Sequence, residues 1–481
     1  MNTFPSPSAS PANPASPQWG ARLFKIGSVL LAVTASYYIF NASVRSQTHL
    51  ILGIAIMVLS FLPALLWAQR SRPSLPVFEA LLFTCLNTYA LPLLNGHEDL
   101  LRYAETDVTR AALGVIVYQA AAISTYQLVP PIVSVGRFWV EDVISAAFEK
   151  WLPWGIGLNT AYIVVSTFTS LIPPNFGSVL RAVFFGFGII CTFMTCRRLG
   201  LGQLGPGERA WFFTNLAIQC FVMMATLFLV STVSLLLLAL VGYISAGGRI
   251  PIVFTALCLV GLAVLHNGKS AMREKYWTET GRVVPTPTEL PAFYSAWFSH
   301  GLKPESSEGS QKKLTGKLID RTSLIHILCL VATYSPEPLP YLHGDTYADI
   351  PAQFVPRLVW PNKPLGHVST SRLSVYYGLQ DEEDTLKTTI GFGMVSEAFA
   401  NFGFAGLAGL GLLVGFAFKK TMSAAARGPL FSYGGLLTII LLAWSFQVEF
   451  TLSIWLSSLY QASIVVLGIP FLLRMFFAPS S

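Results

Sequence analysis

Charged residues are scarce in this chain. They make up 11% of its 481 residues, less than half of the roughly 25% that soluble globular domains carry. Hydrophobic residues make up 53%. So few charges cannot cover a surface that faces water, and we therefore predict an all-α polytopic membrane protein. The net charge is +7, but no basic run with interleaved aromatics occurs, which argues against nucleic acid as a partner.

The chain also lacks the short motifs of common enzyme classes. It contains no Walker loop, no GxGxxG after a predicted strand, no HExxH and no GxSxG. These absences argue against coupling to ATP within the chain. The six cysteines form no CxxC pair and no cluster with histidine, which gives little support to a zinc site or a disulfide. We interpret them as small core residues.

Long apolar stretches account for most of the sequence. A membrane-spanning helix needs about 20 mostly apolar residues. Such stretches lie at 24–42, 50–68, 75–94, 111–130, 152–171, 177–195, 210–246, 250–266, 396–418, 429–447 and 453–475. The stretch 210–246 could form one tilted helix or two short ones. The residues before the first stretch are rich in proline, serine and alanine, which predicts a disordered tail over 1–20.

The positions of lysine and arginine favour two helices in the long stretch. With twelve helices and both ends in the cytoplasm, most basic residues between helices fall on the cytoplasmic side. A single helix would place a strongly basic loop outside. We therefore predict nine helices within 21–266, one large external loop at 267–395, and three helices within 396–481. Inside that loop, 319–334 is apolar but too short to span, which predicts an interfacial or re-entrant helix.

The external loop contains an unusual proline-rich run. Prolines from Pro356 to Pro364 fix their own backbone and disfavour helix in the residues before them. This predicts a stiff loop that holds Arg357 and Lys363 at a fixed separation, with Trp360 between them. Arginine and lysine suit phosphate, and tryptophan can stack on a sugar ring. An alternative stays open, in which Trp360 and the prolines only shape a loop at the lipid headgroups.

Other charged residues are candidates on weaker grounds. Lys269 and Arg273 follow the ninth predicted helix at its outer end, against the positive-inside bias, which fits anion binding as well as solvation. Arg321 begins the short apolar helix, where reaching to lipid headgroups is the simpler role. Glu397 begins an apolar, glycine-rich helix, either as a functional carboxylate or as one favoured by a helix dipole. Glu79, deeper in the third helix, suits a buried ion pair.

Four motifs in a fixed order resemble a known family. Arg321 heads the short helix, Pro-Tyr-x-x-Gly-x-Thr-Tyr ends at Tyr347, Pro-Arg-x-x-Trp-Pro-x-Lys-Pro begins at Pro356, and Ser-Glu-Ala-Phe-Ala-Asn-Phe-Gly begins at Ser396. In these motifs the chain resembles the Wzy-type oligosaccharide repeat-unit polymerases of bacterial O-antigen and exopolysaccharide assembly. The rest of the chain agrees with that family in helix count and in its one large outer loop.

The resemblance implies a GT-C-like fold in the bacterial inner membrane and a glycosyltransferase active at the outer face. Such an enzyme transfers a glycan from undecaprenyl pyrophosphate to the non-reducing end of another lipid-linked repeat unit. Lipid pyrophosphate is the leaving group, and no cofactor or metal is expected. The implied partners are the lipid-linked oligosaccharide and membrane lipids, with a chain-length regulator as the candidate protein partner.

The resemblance also implies roles for single residues. Glycosyl transfer passes through an oxocarbenium-like state, and cations stabilise the charge that builds on the departing pyrophosphate. Arg357 would be catalytic in this way, and Glu397 would accept the proton of the acceptor hydroxyl. The implied substrate-binding residues are Lys363, Trp360, Arg321, Arg273, Lys269, Tyr347 and Arg372.

Three other functions stay open at this point. An O-antigen ligase-like enzyme would use the same donor and transfer the glycan to a lipid core. A flippase or transporter for lipid-linked sugars would need charges deep within helices that line a path. Here Glu79 and Arg181 are the main mid-helix charges and most others lie in the outer loop, which favours an enzyme. The third alternative is a non-catalytic scaffold of a secretion complex.

Overall fold

The described part of the chain is almost entirely helical. The computed structural model describes residues 17–70, 75–141, 149, 151–172, 174–246, 251–278, 281–302, 323–355, 359–360, 362–385 and 389–477. Its helices of nine residues or more are α1 (Pro17–Asn41), α2 (Gln47–Ala68), α3 (Val77–Leu94), α4 (Glu105–Leu128), α5 (Leu152–Phe168), α6 (Pro174–Gly200), α7 (Pro206–Ala225), α8 (Leu229–Ser245), α9 (Ile252–Tyr276), α10 (Leu290–Leu302), α11 (Ile325–Tyr334), α12 (Val368–Tyr376), α13 (Gly393–Ala425), α14 (Tyr433–Ser445) and α15 (Leu452–Phe477). A two-stranded antiparallel ladder, β1 (Trp277–Thr278) with β2 (Gly281–Arg282), follows α9.

Seven of the described helices contain stretches long and apolar enough to cross a membrane. These stretches are Gly20–Asn41, Gln47–Ala68, Val77–Leu94, Glu105–Leu128, Val183–Gly200, Ile252–Lys269 and Gly393–Ala425. The chain is therefore a multi-pass helical membrane protein, as its composition predicted. The ambiguous stretch 210–246 holds two helices, α7 and α8, as the charge pattern predicted. The predicted disordered tail, 1–20, overlaps the first helix, because α1 begins at Pro17. Residues 1–16 lie outside the described residues.

The centre of the protein is formed by α13 packed along α4. Glycines on α13 make the close approach possible, because a Cβ at Gly411 would lie 2.5 Å from the carbonyl oxygen of Tyr118. Small residues at such contacts let helix backbones come together where lipid offers no hydrophobic driving force. The six cysteines are all free, and four of them are buried, in keeping with their interpretation as core residues.

Helix α13 is broken at Gly403. Its backbone there has φ 58° and ψ −139°, which is not helical and which residues with a Cβ rarely adopt. The break separates a buried first half, 393–402, from a second half, 404–425. The second half rises about 33 Å, enough to cross the hydrocarbon core by itself. The first half is therefore free to position side chains inside the protein.

Helix α14 alone is shorter than the hydrocarbon core of a membrane, and the residues that follow it continue without helical structure. Its 13 residues rise about 20 Å, against about 30 Å for the hydrocarbon core. The hydroxyl of Ser445, its last residue, donates a hydrogen bond to the carbonyl oxygen of Val77 (3.2 Å), at the start of α3. Because α3 continues from there to Leu94, the loop 446–451 lies alongside α3 at membrane depth. Non-helical backbone is tolerated there only where it is buried in protein or lines a cavity.

The short helix predicted at 319–334 is α11, which begins at Ile325 and packs inside the protein, while 319–322 lie outside the described residues. Just before it, the N–H of Leu324 donates to the carbonyl of Thr88 (3.1 Å), within α3. Near its end, the hydroxyl of Thr333 donates to the carboxylate of Asp107 (3.2 Å), in the first turn of α4. The helix is buried, with α4 and α13 as neighbours. Burial between other helices suits the re-entrant alternative, and the place of α11 relative to the membrane surface stays a prediction.

Several basic residues predicted to face the cytoplasm lie together on one side. Arg70 pairs with Glu79 (3.2 Å), which provides the buried ion pair expected for that carboxylate. Arg70 and Lys419 both lie over the ring of Tyr126, at 5.5 and 5.2 Å from its centroid. Lys420 donates to the carbonyl of Pro130 (3.1 Å). The ends of α2, α4 and α13 and the start of α3 thus share one side of the protein.

Candidate functional site

A cavity of about 890 Å³ opens beside α3. Helices α1, α2, α3 and α8 form its walls together with the loops 389–391 and 446–450. It follows α3 from Pro76 to Thr88, about 18 Å of helix rise. A volume of this size lies within the range of about 300–1,000 Å³ that is typical of small-molecule and cofactor sites.

The lining of this cavity changes character along α3. Beside the first turns of α3 it is mostly apolar, with Leu23, Ile26, Leu30, Phe61, Leu65, Trp67, Ala80 and Phe83. We call this part the apolar end. Beyond it, hydroxyl, amide and carboxyl groups join apolar side chains in the lining, from Thr84, Asn87, Thr88, Ser231, Ser234, Thr370, Thr389, Gln447 and Glu449. We call this part the polar end, and the two together fit an amphiphile with one polar group and one apolar chain.

Part of the polar end is built by an irregular turn of α3. Residues Leu86–Ala90 form a π-helical turn within the helix. Such insertions are rare and are frequent at functional sites. Asn87 and Thr88 line the cavity from this turn. The turn therefore adds an amide and a hydroxyl group to the wall of the cavity.

One charged side chain lines the polar end, and two cations from α9 act on it electrostatically. Glu449 belongs to the loop 446–451, and its side chain is exposed to the cavity. Lys269 and Arg273, one turn apart on α9, interact electrostatically with it. The two cations favour the ionised form of the Glu449 carboxylate. Arg273 also lies over the ring of Phe228 (5.5 Å to its centroid), which forms part of the cavity wall.

Glu397 lies inside the protein and does not line the cavity. Its side chain is fully buried in the first half of α13. One carboxylate oxygen accepts a hydrogen bond from the N–H of Leu452 (2.6 Å), the first residue of α15. A carboxylate there satisfies a free N–H and interacts favourably with the helix dipole. The dipole interaction considered from the sequence is thus present, but with α15 rather than with the helix that contains Glu397.

Asn401 fastens the turn that contains Tyr347 to α13. Its side-chain N–H groups donate to the hydroxyl of Thr346 and to the carbonyl of Glu397, both at 2.8 Å. Its carbonyl oxygen accepts from the N–H of Gly344 (2.9 Å). Burial raises the pKa of the Tyr347 phenol, with the neighbouring Glu397 carboxylate acting in the same direction. The predicted residues Tyr347 and Glu397 are therefore neighbours.

Arg372 is held by two carboxylates of the segment between α11 and α12. Its guanidinium lies 3.2 Å from Asp345 and 3.3 Å from Asp349. It also donates to the carbonyl oxygen of Asp345 (2.6 Å). Two carboxylates neutralise most of the charge that an anionic substrate would use, so the contacts indicate that Arg372 stabilises the loop. Its predicted contact with substrate stays a prediction.

Lys363 is buried, and its ammonium group holds the backbone of the same loop. It donates to the carbonyl of Gln353 (3.1 Å) and to that of Val355 (2.8 Å). It thereby fixes the chain immediately before 356–358. Trp360 is half exposed, which suits both interpretations of its ring, stacking on a sugar or lying at the headgroups.

Two of the predicted site residues, Arg357 and Arg321, lie outside the described residues. The structure does bring Lys269 and Arg273 to one place, but it does not bring Glu397 to them. Glu449, on which these two cations act electrostatically, was not predicted. The sequence did contain a signal for it, because Glu449 is the only acidic residue after Glu397.

No family model, curated protein or solved structure matches the chain. Any assignment of function therefore depends on the motifs of the external loop and on the geometry of the cavity.

Proposed function

We propose that the protein is a glycosyltransferase that polymerises undecaprenyl-pyrophosphate-linked oligosaccharide repeat units into O-antigen or exopolysaccharide. It acts at the outer face of the bacterial inner membrane. The chain crosses that membrane twelve times in a GT-C-like arrangement, with both ends in the cytoplasm. The polar end of the cavity lies in the outer half of the membrane, and a chain-length regulator is the candidate protein partner.

The amphiphilic cavity is the observation that carries this proposal. Its polar end is partly built by Thr370, Thr389 and Gly391, which belong to the segment that carries the family motifs. Its hydroxyl and amide groups are the kind that bind sugars. Its apolar end, beside α1 and α2, offers a path for a polyisoprenoid chain. One cavity therefore suits both halves of a lipid-linked glycan.

The charges around the polar end suit the chemistry. In the transfer, the bond between the anomeric carbon and the pyrophosphate oxygen breaks, and its electron pair leaves with the pyrophosphate. The acceptor hydroxyl forms the new bond and gives up its proton. Lys269 and Arg273 can stabilise the leaving group, since cations placed in advance act most strongly where charge develops. Arg357 has the same role in the proposal, and Lys363 and Trp360 support its loop.

Surface glycan from a deletion strain tests the proposal and separates it from a ligase. For a polymerase, we expect the polymer ladder to disappear from gels while single repeats capped on the lipid core survive. A plasmid copy of the gene should restore the ladder. Loss of all glycan from the lipid core, with polymer retained on the undecaprenyl carrier, would instead identify a ligase.

A second experiment asks whether the cavity is the site. Ala80→Trp places a large ring at the apolar end and should reduce polymer formation by obstructing the lipid chain. Leu257→Trp is the matched control, because Leu257 is 66% exposed on the outside of α9. We expect the control to retain normal polymer at an equal protein level in the membrane. If both variants polymerised equally well, the cavity would not be the site that binds the lipid chain.

One observation favours a second candidate, a flippase for lipid-linked sugars. Glu79 lines the apolar end of the cavity and pairs with Arg70, so a charged pair lies where a purely apolar groove would have none. Transporters place such groups along their paths. Purified protein in liposomes with a fluorescent lipid-linked sugar distinguishes the two functions. Movement of the lipid between leaflets without chain growth would identify a flippase.

A further inference from the structure

We propose that Glu449 is a catalytic residue of the transfer, which accepts the proton of the acceptor hydroxyl. The inference depends on the proposed glycosyl transfer, and it assigns the role of base to a residue other than Glu397. The observation behind it is the place of Glu449, whose side chain lines the cavity and lies within electrostatic reach of two cations on α9.

The two carboxylates differ in access to a substrate. A general base must come within hydrogen-bond reach of the proton it removes, about 2.6–3.2 Å between heavy atoms. The side chain of Glu449 is exposed to the cavity, and its carboxylate accepts no hydrogen bond from any residue that the structure describes. Glu397 is fully buried, and its carboxylate already accepts the N–H of Leu452. Only Glu449 can meet a hydroxyl without rearrangement of the core.

The backbone around Glu449 is held in place from two sides. The N–H of Gly393, at the start of α13, donates to the carbonyl of Glu449 (3.0 Å). Gly393 has φ +71°, and a Cβ there would lie 2.7 Å from the carbonyl oxygen of Val448, so glycine permits this contact. On the other side, the amide of Gln447 donates to the hydroxyl of Ser234 (3.1 Å). The backbone that carries the carboxylate is thus held beside the cavity, which limits the positions the carboxylate can take.

The cations on α9 can hold the leaving pyrophosphate close to the proposed base. Lys269 and Arg273 face Glu449 from α9. The walls from α3 and α8 present the uncharged Thr88 and Ser234 beside it, and Glu79 lies at the apolar end. When the donor binds, its pyrophosphate takes Lys269 and Arg273 as partners. Glu449 then receives the hydroxyl proton while the electron pair of the broken bond leaves with the pyrophosphate, and the proton passes to water in the cavity.

Purified protein in liposomes, supplied with a lipid-linked repeat unit, tests this role. Glu449→Gln should lower kcat about 10²–10⁴-fold, the usual contribution of a general base, with little change in KM for the lipid-linked donor. A base must be ionised to accept a proton, so the wild-type rate should fall at acidic pH, where the Glu449 carboxylate becomes protonated. This acidic limb should be absent in Glu449→Gln. Glu383→Gln, on an exposed residue of the external loop, is the matched control and should behave as wild type.

A second variant keeps the test decisive if Glu449→Gln does not accumulate. Glu449→Ala leaves space at the polar end, and added formate should restore part of its turnover because it supplies the missing carboxylate. If the wild type polymerises but Glu449→Gln keeps its kcat and its acidic limb, or formate restores nothing to Glu449→Ala, Glu449 is not the base and the polymerase proposal stands. If the wild type forms no polymer from the repeat unit, both proposals fail.

Discussion

Two carboxylates, Glu397 in α13 and Glu449 in the loop 446–451, have different surroundings. Glu397 is surrounded by protein and completes the first turn of α15. Glu449, from the loop itself, meets the cavity and two cations. Sequence position alone favoured Glu397, because a carboxylate at the start of an apolar helix is unusual. The burial of each side chain depends on packing between α13 and α15, which no local pattern encodes.

Substitutions of Glu397 should separate a structural role from a catalytic one. Glu397→Gln retains an oxygen that can accept the N–H of Leu452, whereas Glu397→Leu leaves that N–H without a partner. We expect Glu397→Leu to destabilise the protein by about 1–3 kcal/mol, the cost of an unsatisfied buried group. This should appear as a lower thermal unfolding midpoint in detergent, with Glu397→Gln close to wild type.

The turnover of Glu397→Gln gives the complementary result. With Glu449 as the base, kcat should stay within about threefold of wild type. A fall of about a hundredfold, with donor binding intact, would return the role of base to Glu397.

Arg357 remains the strongest catalytic candidate from sequence. Arg357→Ala should abolish polymer, because removing a charge-assisted contact made in the transition state costs about 3 kcal/mol, or roughly a hundredfold in rate. Arg357→Lys should restore only a small part, since lysine lacks the paired donors. Lys363→Ala should cost less, because its ammonium holds the carbonyls of Gln353 and Val355. Polymer length on gels measures each effect.

Arg102→Ala is the control for this series, since the side chain of Arg102 is 78% exposed and pairs with Asp99 at the surface. Each variant must reach the wild-type level in the membrane. Full-length polymer from Arg357→Ala would show that the proline-rich run has a structural function only.

At the scale of elements, the sequence predicted where helices occur along the chain, but not where they break or end inside the protein. Apolar stretches identify helices because lipid cannot satisfy exposed backbone groups. The same pattern does not reveal that α14 stops short beside α3, or that α13 is broken at Gly403. Both features depend on contacts with distant segments, such as Ser445 with Val77. They are also the features that create the cavity and bury Glu397.

The break in α13 can be tested at Gly403. A Cβ there would lie 2.5 Å from the hydroxyl of Tyr341, and the backbone has a positive φ. Gly403→Ala should therefore cost about 1–3 kcal/mol of backbone strain, together with the displacement of Tyr341. We expect a lower unfolding midpoint and loss of polymer, because the turn bound by Asn401 must shift.

Gly409→Ala is the matched control for this change. A Cβ at Gly409, in the same helix, has no neighbour within 4 Å. Alanine also favours a helix over glycine by about 1 kcal/mol, so stability should be unchanged or higher. If both variants were equally stable and active, the break at Gly403 would not be a required feature.

At the scale of the whole molecule, the predicted topology makes two independent statements. One says which helix ends share a side of the protein, and the other says which side faces the cytoplasm. The contacts around Tyr126 place the ends of α2, α4 and α13 on one side. Which side that is follows only from the positive-inside rule. The polar end of the cavity lies further along α3, away from this basic side. It can meet substrate at the outer face only if the basic side is cytoplasmic.

Reporter fusions test both statements at once. Fusions after Arg72 and after Lys420 should report the same side, because the structure joins α2 and α13 there through Tyr126. The positive-inside rule predicts that this side is the cytoplasm. Cytoplasmic signals are also expected after Arg198 and Arg249, and external signals near Glu98 and Lys312. Opposite signals at Arg72 and Lys420 would contradict the packing of α2 and α13. A cytoplasmic signal at Lys312 would leave that packing intact but would place Lys269, Arg273 and Glu449 on the wrong face for an outer-face polymerase.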